Sequence, residues 1–239
     1  MLELGVNIDH VATLRQARGG AEPGILCAVK ECEKAGCDSI VAHLREDRRH
    51  INDLDIEAIK SIVATRFNLE MSINEEIVEI ARKIRPDQAT LVPEKRQELT
   101  TEGGLRVNGN EQKIRKVAER LKEKGVRVSL FIDPDEHEVN AVKRTGVKII
   151  EIHTGRYSDA GAERVADMEF QKIKKACDIA LDIGLTVNAG HGLNYTNVKR
   201  VAGIKGINEL NIGHSIISRA IFTGLDRAVR EMKALMGHE

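Results

Sequence analysis

Neither sign of charge dominates this 239-residue chain: Lys plus Arg and Asp plus Glu number 37 each. A chain so balanced sets up no global field to draw in nucleic acid or an anionic membrane, so charge has to act locally, in loops. Cysteine is scarce and unpatterned. Cys27, Cys32, Cys37 and Cys177 form no CxxC pair and no Cys/His metal-ligand spacing, which excludes a disulfide scaffold and points to reduced, small, buried thiols. No apolar run approaches membrane-spanning length, and the amino terminus enters a strand-like run containing Glu3 instead of a basic and then apolar leader. The expectation is a soluble, cytoplasmic protein with no nucleic-acid and no membrane partner. Nucleotide fingerprints of the Rossmann or P-loop kind are missing as well.

What the chain does have is one strand–helix alternation repeated eight times. Strand-like runs lie near 2–9, 38–44, 67–72, 88–93, 126–132, 147–152, 185–190 and 207–213, with helix-compatible segments near 23–35, 54–65, 74–84, 111–124, 135–145, 163–183, 194–202 and 214–236. Several of these segments end at glycine (Gly36, Gly125, Gly146, Gly184), where a left-handed cap is cheap. This order predicts right-handed parallel crossovers. Period-two alternation then sorts the strands: Leu4, Val6 and Ile8 oppose Gly5, Asn7 and Asp9, and Ile150 and Ile152 oppose Glu151 and His153. One side suits packing under helices, and the other suits a barrel interior that turns polar at its carboxyl end. A doubly wound sheet would be apolar on both faces of its central strands. The expected fold is therefore a single-domain α/β protein over residues 1–239, a closed (β/α)8 TIM barrel with room for short extra helices.

Because parallel strands all point one way, their polar ends must converge on one rim. Five of the eight histidines sit at such ends: His10, His43, His153, His191 and His214. Imidazole takes and gives protons near neutrality, so a set of them suits serial proton transfer. Glu70 ends the third strand, where enclosure would raise its pKa and make it a base; pairing with Arg45 is the alternative. Glu94, Asp133 and Glu151 occupy similar positions, and spacing does not rank them. Gly190-His191-Gly192 and Gly213-His214 close the last two strands, the second leading straight into a helix, a setting suited to phosphate. Arg45, Arg48, Arg49 and His50 form a second cationic cluster, fit for another phosphate or for solvent. Two long connections, residues 10–22 and 94–110, read as loops able to fold over an anion. A metal-dependent barrel hydrolase and a non-catalytic phosphate-binding barrel are the rival readings.

At these residues the chain resembles the pyridoxine 5′-phosphate synthase family. The resemblance rests on Gly5-Val6-Asn7-Ile8-Asp9-His10, on residues 43–50 and 68–71, on residues 91–105 (LVPEKRQELTTEGGL), on Glu151-Ile152-His153-Thr154-Gly155, and on residues 187–193 and 209–214. It implies condensation of 3-amino-2-oxopropyl phosphate with 1-deoxy-D-xylulose 5-phosphate, giving pyridoxine 5′-phosphate, phosphate and water, with no metal and no organic cofactor. It further implies His43 and Glu70 as proton acceptors and His191 as proton donor. Asn7, Arg18, Gly192, Gly213 and His214 would hold the aminoketone phosphate; Asp9, His10, Arg45, His50 and Thr100 would hold the deoxyxylulose phosphate. Self-association into a higher homo-oligomer, such as an octamer, belongs to the same expectation, as does closure of the segment carrying Thr100.

Overall fold

In the computed structural model, which describes residues 1–94 and 103–237, eight parallel strands close into one barrel in chain order. They are β1 (Glu3–Asn7), β2 (Ser39–Leu44), β3 (Arg66–Met71), β4 (Gln88–Leu91), β5 (Arg127–Ile132), β6 (Ile149–His153), β7 (Thr186–Gly190) and β8 (Ile207–Ile212). The helices are α1 (Asp9–Arg18), α2 (Ile25–Lys34), α3 (Asp53–Ile62), α4 (Glu75–Ile84), α5 (Glu111–Lys122), α6 (Glu136–Val142), α7 (Gly155–Ser158), α8 (Glu163–Asp182), α9 (Val198–Ala202), α10 (His214–Thr223) and α11 (Leu225–Leu235). No described helix is long and apolar enough to cross a membrane.

The strands fall where the alternation puts them, and Gly36, Gly125, Gly146 and Gly184 do take left-handed backbone. Three helical expectations change. The connection over residues 10–22, expected as a loop, is largely α1, which buries only Val11 and Ala12 of its apolar residues while Leu14 stays exposed. Its stripe is too short for periodicity to reveal. The final segment is two helices, broken at Gly224 with φ +80°, and the expected 194–202 helix shrinks to α9. Cys32, Cys37 and Cys177 are buried as expected, whereas Cys27 is exposed.

Outward-facing strand residues such as Leu4, Val6, Ile40, Leu69 and Ile150 are fully buried beneath the helices. Each such side chain contributes about 1.5–3 kcal/mol of transfer free energy, so this layer supplies most of the stability. The interior is different. Barrels of this type usually fill it with branched aliphatics, but here Ser39, Asn68, Thr90, Ser129, Glu151, Asn188, Glu209 and Asn211 are buried there. Polarity was expected only at the carboxyl end; it runs instead to the amino end, where Arg66 pairs with Glu3 and Glu209. Some of the groups pair with one another: Thr90 Oγ1 donates to Asn68 Oδ1 at 2.9 Å, and Asn211 Nδ2 donates to Glu151 Oε2 at 2.6 Å, while Ser129 Oγ, Asn68 Nδ2 and Asn211 Oδ1 have no partner. Such bonds net only about 1 kcal/mol each, so the interior adds little stability.

Candidate active site

Parallel register brings the polar strand ends to one rim, and the first cluster forms across β1, β2 and β3. His43 lies beside Glu70 in register. The Asn7 amide nitrogen donates to Asp9 Oδ2 at 2.9 Å and to Glu70 Oε2 at 3.3 Å, while Asp9 Oδ1 accepts the His43 backbone N–H at 2.8 Å. Asn7 thus bridges the two carboxylates. Burial raises the Glu70 pKa well above the usual carboxylate range, and the neighbouring Glu151 and Asp9 push it further, against the Asn7 hydrogen bond. A carboxyl so raised exchanges protons closer to neutrality than a solvated one.

Glu94, one of the carboxylates that spacing did not rank, comes to His43: its Oε2 lies 3.7 Å from His43 Nε2, and neither atom has a hydrogen-bond partner. Burial alone would raise the Glu94 pKa, but the His43 ring and the Glu46 N–H hold it below normal. Arg45 is buried against Asp47 at 3.1 Å and Glu94 at 3.8 Å. The alternative reading of Glu70 as its partner is thereby set aside. The rest of the cationic cluster is also matched within the chain, Arg48 by Asp53 and Glu76 and Arg49 by Asp47.

The second cluster lies at the ends of β5 to β8. His191 follows β7 with φ +79°, a conformation side chains seldom adopt. Its ring stands 5.0 Å from that of His153 at 77°, and Phe131 packs 5.1 Å from His153. Burial, then the His153 and His10 rings, depress the His191 pKa to about 4 against a raising effect of Asp159. Glu151, buried below and hydrogen-bonded to Asn211, has its pKa raised by burial. Between the clusters, His10 and His214 meet edge to face at 4.8 Å. The His10 pKa is lowered by burial and by His214, against Asp9; that of His50 is lowered chiefly by burial. His50 reaches the first cluster, 6.2 Å from His43.

The glycine turns expected at the ends of β7 and β8 are present. Gly213 precedes α10, whose first residue is His214, so free N–H groups face the rim with favourable dipole sign. A side chain at Gly213 would place its Cβ 2.9 Å from the Asn7 Cβ, and Gly192 has φ +79°. Arg18 is exposed at the far end of α1, about 14 Å along the axis from Asp9. Its neighbour Arg15 instead clamps Asp55 at 2.6 and 2.7 Å and the His50 carbonyl at 3.0 Å. Thr100 lies outside the described residues, as do residues 95–102 of the segment expected to close. Among the described residues, Asp9, His43 and Glu70 have ligand atoms within 4.8 Å of one another and form a conceivable metal set, although Asn7 already donates to both carboxylates.

Fold and rim together define a parallel β/α barrel enzyme whose carboxyl-end mouth is lined with carboxylates, imidazoles and glycine turns. Residues 4–238 match the family described as pyridoxal phosphate biosynthesis protein PdxJ, and the chain belongs to that family. It is 54% identical over 236 residues to the pyridoxine 5′-phosphate synthase of Geotalea uraniireducens (strain Rf4), covering 99% of both chains. The corresponding protein of Syntrophotalea carbinolica is 56% identical over 237 residues, again 99% of each. Among solved structures, KGPDC from Streptococcus mutans superposes with TM-score 0.68 at 14% identity, covering 99% of this chain and 98% of that one. The dimeric phosphoribosylanthranilate isomerase of Thermotoga maritima, in the form of generated monomers, gives 0.60 at 11%, covering 99% of both. Those two likenesses speak to the fold alone.

Proposed function

We propose that this chain condenses 3-amino-2-oxopropyl phosphate with 1-deoxy-D-xylulose 5-phosphate to form pyridoxine 5′-phosphate, releasing phosphate and water. The observation that carries this reading is its 54% identity, across 99% of the chain, to proteins of that activity. The amine attacks the ketone, the carbinolamine loses water, a carbon-bound proton leaves to give an enamine, phosphate departs, and ring closure of a nucleophilic carbon onto the remaining ketone expels a further water as the ring becomes aromatic. Each step moves a proton while a charged intermediate is kept from bulk water. His43 and Glu70 act as acceptors and His191 as donor. Asn7, Arg18, Gly192, Gly213 and His214 hold the aminoketone phosphate; Asp9, His10, Arg45, His50 and Thr100 hold the other substrate.

The chain by itself leans the other way, since a raised Glu70 tends to hold its proton and a His191 near pKa 4 tends to lack one. Substrate charges reverse both tendencies. An ammonium beside Glu70 stabilises its carboxylate, and a phosphate at the Gly192–Gly213 turns stabilises protonated His191. The decisive experiment is incubation of purified protein with the two phosphorylated ketones, with and without chelator. A pyridine chromophore with stoichiometric phosphate in both arms is the expected result. Loss of activity in chelator would favour the metal-hydrolase reading, and substrate binding without turnover the non-catalytic one.

The protein is also proposed to be cytoplasmic and to work as a homo-oligomer, with an octamer as the expected size. Leu14 and Ile221 are 46% and 65% exposed and line a groove of about 340 Å³ with Val11, Ile217 and Leu225, and the adjoining Phe222 is 89% exposed. A second copy of the chain would cover these side chains. Light scattering of an Ile221→Asp, Phe222→Ser variant should show a smaller species than the parent.

A further inference from the structure

The end of β6 carries side chains that the roles above leave without a task, and all of them converge on His191. Thr154 holds the backbone there: its N–H donates to the Gly190 carbonyl at 2.8 Å, and its hydroxyl lies 2.7 Å from that oxygen and 2.6 Å from the His191 carbonyl. Those contacts fix the turn in which His191 adopts positive φ. His153 holds the ring. Its Nδ1 lies 3.0 Å from Asp133 Oδ1, and the same oxygen accepts the Gly104 N–H at 3.0 Å. An acceptor-only carboxylate requires the proton on Nδ1, so Nε2 carries a lone pair. That Nε2 is buried and has no partner.

A histidine kept only for packing would not leave a buried nitrogen unsatisfied when Phe or Leu would fill the space. Gly155 explains how the rings approach: a Cβ there would fall 2.4 Å from His153 Nε2 and 3.1 Å from His191 Cδ2. Phe131 closes the group, 6.3 Å from His191. The titratable groups facing His191 are His153 from β6, Asp159 after α7 and His10 on α1.

We propose that His153, Thr154 and Gly155, with Asp133 behind them, are the positioning set for the proton donor His191: the threonine fixes its backbone, and the Asp133-oriented imidazole fixes its ring. This rests on the reading of His191 as donor in the condensation. Asp133 sets the His153 tautomer, a bare Nε2 edge places no N–H against His191, and the donor ring keeps one orientation through successive proton transfers.

The test compares His153→Phe, Asp133→Asn and Gly155→Ala with the parent protein in the two-substrate assay. The expected result is a kcat lower by about 10- to 100-fold, KM for both phosphorylated ketones within about threefold, and a displaced acid limb of the kcat–pH profile. The Asp133→Asn effect should also vanish in the His153→Phe background. Parental kcat in His153→Phe and Gly155→Ala, or a loss confined to KM, overturns the proposal. Nitrogen-15 histidine spectra of the parent protein keep the test open where a variant fails to fold: His153 must carry its proton on Nδ1, and the opposite tautomer overturns the idea. If the parent forms no pyridine at all, the proposed reaction fails. Histidine spectra still decide the positioning claim, because Asp133→Asn must shift the His191 ring resonances and an unchanged His191 spectrum refutes it.

Discussion

The two halves of the barrel mouth use the same physical means on opposite charges. On the β1–β4 side, carboxylates crowd together: Glu70 is half-buried with Asp9 and, from β6 opposite, Glu151 near it, and its pKa goes up. On the β5–β8 side, imidazoles crowd together: His191 is half-buried against His153, with His10 also near, and its pKa goes down. Burial disfavours the charged form in both places, and like neighbours add to it. Both halves therefore bias their key group toward its neutral form. The contrast teaches that burial and like neighbours press each side of the mouth toward its uncharged form, whichever sign of charge that side carries.

The largest expected effect comes from removing either side's key group. Glu70→Gln, His43→Ala and His191→Gln should each lower kcat by about 100-fold or more while both substrates still bind; a near-parental rate in any one would take that residue out of the mechanism. Next comes acid stability. A group whose folded pKa lies below its unfolded value contributes stability present above the unfolded value and lost as pH falls. For His191 the window runs from 6.5 down to about 4, and its partial exposure limits the loss to about 1–3 kcal/mol. Chemical denaturation across that window should show the slope, and His191→Gln should reduce it; an identical slope in the variant would contradict the assigned shift.

The carboxylate side should behave with the opposite sign. The raised pKa of Glu70 makes its ionisation destabilising as pH rises through 4.5, so Glu70→Gln should be more stable than the parent at neutral pH, by about 1 kcal/mol. A lower melting temperature for this variant would mean that Asn7 compensates the buried charge fully. Smallest of all is the interior beneath both halves. Ser129 Oγ is buried without a partner, so Ser129→Ala should leave stability within about 0.5 kcal/mol, whereas Leu69→Ala under the helices should cost about 2–5 kcal/mol. Equal costs would erase the distinction between the apolar outer layer and the polar interior.

Much of the rim is legible in the order of residues alone. The polar strand ends name Asn7, Asp9, His43, Glu70, His153, His191 and His214, and register brings them together because parallel strands leave no other arrangement. Other features stay hidden at that level. α1 hides because only two of its apolar residues, Val11 and Ala12, reach the core. Spacing does not tell Glu94 from Asp133, yet one meets His43 and the other His153. Arg18 is grouped with the rim by resemblance, and lies exposed at the other end of its helix. The Thr154 hydroxyl looks ordinary in sequence, and its meaning appears only with the Gly190 and His191 carbonyls beside it.

By itself, then, the sequence determined the eight parallel crossovers, the inward and outward faces of each strand, and the chemical types gathered at the rim. Those follow from local periodicity, which each segment carries alone. Tertiary structure decided which carboxylate meets which imidazole, which groups of the polar interior pair, and in which direction each pKa moves. Those depend on burial and on neighbours from remote segments, quantities that exist only once the barrel has closed.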